Sequence, residues 1–164
     1  MCRSRSGMKG SLNVVVVEDD ADYAFFIEQA FRNKGFANLV MICGDGEEAV
    51  DYLDGKGEFA DREAFPFPDV LFTDLKMPRM NGFDLLKWIQ AHPECALLPT
   101  VVLSSSADPK DVDHAYQLGA DAFMVKPDRL ETLEEILQTT CEFWAQCAEP
   151  AVPFKCPSVH EMQV

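Results

Sequence analysis

The feature that most restricts this chain is a fivefold alternation of short apolar runs with stretches of helical spacing. Such a rhythm is the pattern of a parallel sheet covered by helices on both faces. The first run, LNVVVV (12–17), is followed by a helix predicted over 21–34, with Phe26, Ile27, Ala30 and Phe31 on one face and Gly35 ending it. LVMIC (39–43) is the second strand, and Asp45 with Glu48 makes a capping-box pattern for a helix that turns Ala49, Val50 and Leu53 inward. DVLFTD (69–74) is the third strand; Asn81 and Gly82 then open a helix carrying Leu85, Leu86 and Ile89, which Pro93 stops. TVVLSSS (100–106) is the fourth, followed by a helix capped by Asp108, with Pro109 at its first position and Gly119 past its end. AFMVK (122–126) is the fifth, and Asp128 and Glu131 are expected to cap a long last helix reaching about Cys147.

At 164 residues the chain fills one hydrophobic core, and 48% hydrophobic against 26% charged residues is an ordinary globular balance. The expected organisation is a flexible N-terminus over 1–10, one domain over 11–147 and a flexible tail over 148–164, where EPAVPFKCPSVHEMQV loses all periodicity. The 54–68 stretch is longer than an ordinary connection in an α/β unit and reads as an insertion. With 28 acidic and 14 basic residues the net charge is −14, which repels phosphate backbones and anionic lipid, so neither nucleic acid nor membrane is an expected partner. Six scattered cysteines form no C-x-x-C pair, no zinc spacing and no disulfide framework. The basic start MCRSRSGMKG is not followed by a signal-type apolar segment, and the expected location is the cytoplasm. His92, His114 and His160 each stand alone and read as solvated side chains.

In an open parallel sheet, ligands gather outside the carboxyl ends of the strands. Here strand one runs into Glu18, Asp19 and Asp20, strand three into Asp74, strand four into Ser104 and strand five into Lys126. Ionised carboxylates brought together this way repel, and must either share a proton or hold a cation. Hard oxygens favour Mg²⁺, which takes one or two carboxylates and keeps several waters; Asp19, Asp74 and a backbone carbonyl would suit it.

These residues carry a resemblance. The acidic pair Glu18–Asp19 after strand one, LFTDLKMPRMNGFDLL around Asp74, a hydroxyl 30 positions later at Ser104, and Lys126–Pro127 a further 22 on resemble the CheY-like receiver domain of two-component response regulators. The resemblance covers about residues 10–147 and implies a flavodoxin-like (βα)5 fold with a parallel sheet of order 2-1-3-4-5. It further implies that Asp74 accepts a phosphoryl group from a histidine kinase or phosphotransfer protein, that Asp19, Asp74 and the Lys76 main-chain carbonyl ligate Mg²⁺, and that Glu18 holds metal-bound water. Lys126 and Ser104 would contact phosphoryl oxygens, Ser104 and Phe123 would form the switch, and Pro127 would follow a cis bond. Such a protein is a phosphoacceptor switch that catalyses only its own phosphoryl uptake and loss, acting on a downstream protein through the face of helix four, strand five and helix five. Glu18 stands where Asp is commoner, Ser104 where Thr is frequent, and Phe123 where a tyrosine would carry a hydroxyl. The long last helix, with Ile136, Phe143 and Cys147 widening its apolar face, and the insertion resemble single-domain regulators paired with bacterial phytochrome kinases, which implies a homodimer.

Two other readings are compatible with parts of the pattern. One is a receiver-like binding scaffold regulated by contacts and not by phosphate. The other is an aspartyl-phosphate phosphatase of the haloacid dehalogenase type, although that chemistry wants an acid two residues after its nucleophile and the chain has Lys76. A flavin-binding flavodoxin is disfavoured, since acids follow strand one where N–H donors would cradle a phosphate.

Overall fold

The computed structural model describes residues 12–147; the segments expected at 1–10 and 148–164, with Cys2, Cys156 and His160, lie outside the described residues. Its elements are β1 (Leu12–Val17), α1 (Ala21–Lys34), β2 (Ala37–Cys43), α2 (Gly46–Asp54), β3 (Val70–Thr73), α3 (Gly82–Ala91), β4 (Thr100–Ser104), α4 (Pro109–Gln117), β5 (Ala122–Val125) and α5 (Leu130–Gln146), with short 3-10 turns at Gly57–Ala60 and Pro93–Cys95. All strand pairs are parallel and the order is β2-β1-β3-β4-β5, the flavodoxin-like arrangement. None of the described helices is long and apolar enough to cross a membrane.

The unbroken apolar run of β1, residues 14–17, follows from its place between β2 and β3, because a strand covered on both faces has no polar side. Val14 and Val16 pack with Phe72 of β3 and with Ile27, Phe31, Leu133 and Leu137 of α1 and α5. Val15 and Val17 face the other way, with Leu71, Ala49, Leu53, Leu85 and Ile89 of α2 and α3. Each such fully buried aliphatic side chain stabilises the fold by about 1.5–3 kcal/mol.

Local signals set the helix starts. The Asp20 carboxylate accepts from the N–H groups of Asp22 and Tyr23, Asp45 from Glu48, Asn81 from Asp84 and Asp108 from Lys110. Of the capping box only half forms: the Glu48 carboxylate takes the N–H of Gly44, one residue before the cap, at 2.6 Å. The expected cap at Asp128 is corrected, since α5 begins at Leu130 with Arg129 in the cap position and no side-chain cap bond. Strands three, four and five end at Thr73, Ser104 and Val125, so Asp74 and Lys126 sit just past the sheet.

The insertion is packed against the helix before it. Arg62 turns back and donates to the carbonyls of Tyr52 (2.7 Å), Leu53 (2.6 Å) and Phe65 (3.2 Å), closing the C-terminus of α2. Tyr52, Phe59 and Phe65 meet with ring centroids 5.1–6.2 Å apart, and the Tyr52 hydroxyl donates to the Pro66 carbonyl at 2.8 Å. Gly55, at φ +65°, lies where a Cβ would meet the Arg62 guanidinium at 2.8 Å.

Candidate functional site

The parallel sheet delivers its strand ends to one rim, and the ladder continues just far enough to fix them. Glu18 N–H donates to Cys43 O at 2.9 Å, Asp74 N–H to Val17 O at 3.0 Å, and Lys126 N–H to Ser104 O at 2.8 Å. Carboxylate oxygens of Glu18, Asp19 and Asp74 lie within 4.8 Å of one another. Glu18 and Asp74 are buried, 3% and 8% exposed, while Asp19 faces solvent. Asp20 does not join them, because its side chain is committed to capping α1.

The ammonium of Lys126 sits between the two buried acids, 2.5 Å from Glu18 Oε2 and 2.8 Å from Asp74 Oδ2. The other Asp74 oxygen, Oδ1, accepts the N–H of Leu75 at 2.7 Å. Burial pushes the Glu18 carboxyl above its ordinary value, against the lowering pull of Lys126. For Lys126, burial alone would lower the ammonium, but hydrogen bonds to Asp74 and Glu18 outweigh it and hold the group above its ordinary value.

Gly82 contributes more than a helix start. A Cβ there would lie 2.0 Å from the Asp74 carbonyl oxygen, so only glycine lets α3 approach this closely, and its N–H donates to Leu75 O at 2.9 Å. In the same β3–α3 loop Arg79 holds φ +61°, a left-handed conformation unfavourable for a residue with a Cβ, and pairs with the buried carboxylate of Asp45. The Met80 carbonyl accepts from Gly46 N–H at 3.0 Å, tying that loop to α2.

The remaining expected site residues fall as follows. Ser104 ends β4, 1% exposed, with Oγ accepting from Ser106 N–H at 3.2 Å; that bond does not use the hydroxyl hydrogen. The Lys76 side chain is exposed two residues past Asp74. Phe123 is half-buried against the cluster of Leu75, Leu86, Val102 and Ala115, and its N–H donates to the Tyr116 hydroxyl at 3.0 Å. The cis bond expected at Pro127 is corrected, as no described peptide bond is cis. Trans is the lower-energy form of an X–Pro bond by about 0.5–1 kcal/mol, and Lys126 reaches both carboxylates from it. Of the described histidines, His114 is exposed as expected while its ring stacks on Phe83 at 4.5 Å, and His92 is half-buried with its ring on Trp88 at 3.7 Å.

One residue of this neighbourhood was silent in the sequence. Tyr23, in the first turn of α1, lays its ring 4.5 Å from Lys126 Nζ and donates its hydroxyl to the Pro127 carbonyl at 3.1 Å. Its only sequence signal is its place four residues after Asp19, one helical turn beyond the strand end.

Three acids against one ammonium leave surplus negative charge at a mouth open to solvent, which is the donor chemistry of a hard divalent cation. The family description "response regulator receiver domain" matches residues 14–138. The chain belongs to that family. As a receiver domain it is a component of two-component signalling. A structure of the phosphorylated cyanobacterial phytochrome response regulator RcpA is similar at 30% identity and a TM-score of 0.75, over 88% of this chain and 100% of that one. Rcp1 of Synechocystis sp. is 26% identical over 81% of this receiver domain's chain and 88% of its own. The Mn²⁺-bound form of Rcp1 superposes with a TM-score of 0.71 over 87% of this chain and 99% of that one. Chemotaxis protein CheY-3 of Vibrio cholerae is 31% identical over 80% of this chain and 93% of its own.

Proposed function

We propose that this receiver domain is a phosphorylation switch in which Asp74 takes a phosphoryl group from the phosphohistidine of a histidine kinase or phosphotransfer protein, with Mg²⁺ as cofactor. The observation that carries the reading is the buried Asp74 carboxylate, held by Lys126 at 2.8 Å and grouped with Glu18 and Asp19 within 4.8 Å. An Asp74 oxygen forms the new P–O bond while the donor P–N bond breaks, its electron pair leaving with the imidazole. Asp19, Asp74 and the Lys76 carbonyl would ligate the metal, with Glu18 holding its water. Bound there, a divalent ion supplies charge neutralisation for the phosphoryl oxygens. Lys126 binds one of those oxygens and Ser104 donates its hydroxyl to another.

Added phosphoryl charge then biases the packing of Ser104 and Phe123, and with it the face of α4, β5 and α5. That face already carries exposed Tyr116 and Val125, so a change in Phe123 is read next to apolar surface. Similarity to RcpA and Rcp1 supports a phytochrome-type kinase as donor, and Phe143, 60% exposed on α5, supports a homodimer through that helix. The working compartment is the cytoplasm, and the chain turns over no substrate beyond its own phosphoryl group. Incubation with Mg²⁺ and acetyl phosphate, followed by intact mass, tests the reading. Wild type is expected to gain one phosphoryl mass and Asp74→Asn none; equal modification of both overturns it, and modification of neither favours the scaffold.

A further inference from the structure

Lys126 has to aim a flexible four-carbon stem at one carboxylate, and two attractive acids inside the site do not fix its outer side. From α1, 104 residues before Pro127 in sequence, Tyr23 supplies what is missing. Its ring centroid lies 4.5 Å from the Nζ atom, and its hydroxyl donates to the Pro127 carbonyl, the next residue's backbone, at 3.1 Å. The ring is itself braced by Phe26, with centroids 5.6 Å apart, and Phe26 packs against the α1–α5 core. Tyr23, Phe26, Lys126, Pro127 and Ser105 together line a depression at this corner.

We propose that Tyr23 is the positioning residue for Lys126, clamping the Lys126–Pro127 corner through its ring face and its hydroxyl so that the ammonium stays aimed at Asp74. The inference rests on the proposed phosphorylation of Asp74 for its consequence, but its geometry does not depend on it. A cationic head over an aromatic face is attracted by the ring quadrupole whichever of Tyr or Phe supplies the face. Phenylalanine at 23 therefore keeps the larger part of the clamp, and leucine removes it.

The test uses the full chain and two readouts. In the protein without phosphate, the Lys126 ε-methylene protons are expected to be shifted upfield by the Tyr23 ring, the shift persisting in Tyr23→Phe and vanishing in Tyr23→Leu. With Mg²⁺ and acetyl phosphate, the initial rate of phosphoryl uptake is expected to fall about tenfold in Tyr23→Leu and by no more than about threefold in Tyr23→Phe. In a Lys126→Ala background Tyr23→Leu is expected to slow uptake no further, because the residue acts through the lysine. An upfield shift unchanged in Tyr23→Leu, or the same tenfold loss without Lys126, overturns the proposal. Failure of wild type to take up phosphate would sink the switch reading instead, and the ε-methylene shift would still decide the clamp.

Discussion

Two regions of this receiver domain gather charge at the end of a secondary-structure element and use it in opposite ways. At the strand-end rim, Glu18, Asp19 and Asp74 surround a single ammonium, so negative charge is in excess and Glu18 is held above its ordinary pKa by burial. At the end of α2, the lone guanidinium of Arg62 is matched by three carbonyls that the helix and insertion leave open. A saturated cation stabilises what it touches and asks for nothing more; an unsaturated anion cluster offers the donor set of a hard cation. The difference separates structure from function inside one small fold.

The largest expected effect lies on the unsaturated side. Chelating divalent metal should slow phosphoryl uptake from acetyl phosphate by roughly 100-fold or more, since the metal contributes several kcal/mol of charge stabilisation. Acid should act in the same direction. Glu18 is raised in the folded protein, so a proton competes for it at a higher pH than for an ordinary glutamate, and Mg²⁺ affinity should weaken as pH falls toward that raised value. The linkage to folding has the matching sign: the raised Glu18 favours the metal-free fold below the usual glutamate range and loses that contribution as pH rises through its folded value. Mg²⁺ titrations followed by intrinsic fluorescence at several pH values check this; an affinity flat down to pH 4.5 would erase the contrast.

A smaller effect is expected on the saturated side. Arg62→Met should lower the unfolding free energy by about 2 kcal/mol, the worth of charge-assisted bonds to carbonyls, and leave phosphoryl uptake within twofold of wild type. Urea unfolding beside the acetyl phosphate assay separates these. If uptake fell as far as stability, the insertion would belong to the site and the two regions would not be distinct.

The smallest effect is a local one. Cys95 is buried in the cluster that holds Tyr52, Leu53 and Phe59, and burial pushes its thiol up to about 12. Thiolate is therefore scarce at neutral pH, and labelling of Cys95 by iodoacetamide should be slow in wild type and several-fold faster in Arg62→Met, as the segment opens more often. Peptide mass mapping resolves Cys95 from the other cysteines. Equal rates in the two proteins would show that Arg62 does not govern opening of this region.

What the sequence revealed and what it withheld divide along the same physical line. Periodicity and caps are local, so β1, α1 and the Asn81 and Asp108 ends were legible, while the strand order came with the family resemblance and Asp20, read with the rim acids, proved to be a cap. Glu18, Asp19, Asp74 and Lys126 were legible because parallel topology sends consecutive strand ends to one rim, and the structure brings all four together. Asp128 failed as a cap because α5 begins at Leu130, which puts Arg129 and not Asp128 in the cap position. Tyr23 and Arg62 were missed because each acts through space: one reaches a carbonyl 104 positions away, the other folds back on a helix through a stretch that reads only as irregular loop. Gly82 looked like a helix opener, and its contact with the Asp74 carbonyl exists only once α3 packs on β3.

Crystals of the full chain soaked with Mg²⁺ and beryllofluoride bear most directly on the assignment of Asp74. The account predicts metal against Asp19, Asp74 and the Lys76 carbonyl, with the fluoride species on Asp74 and within reach of Lys126 and Ser104. Density for neither species at Asp74, or for both at a distance from it, would contradict it.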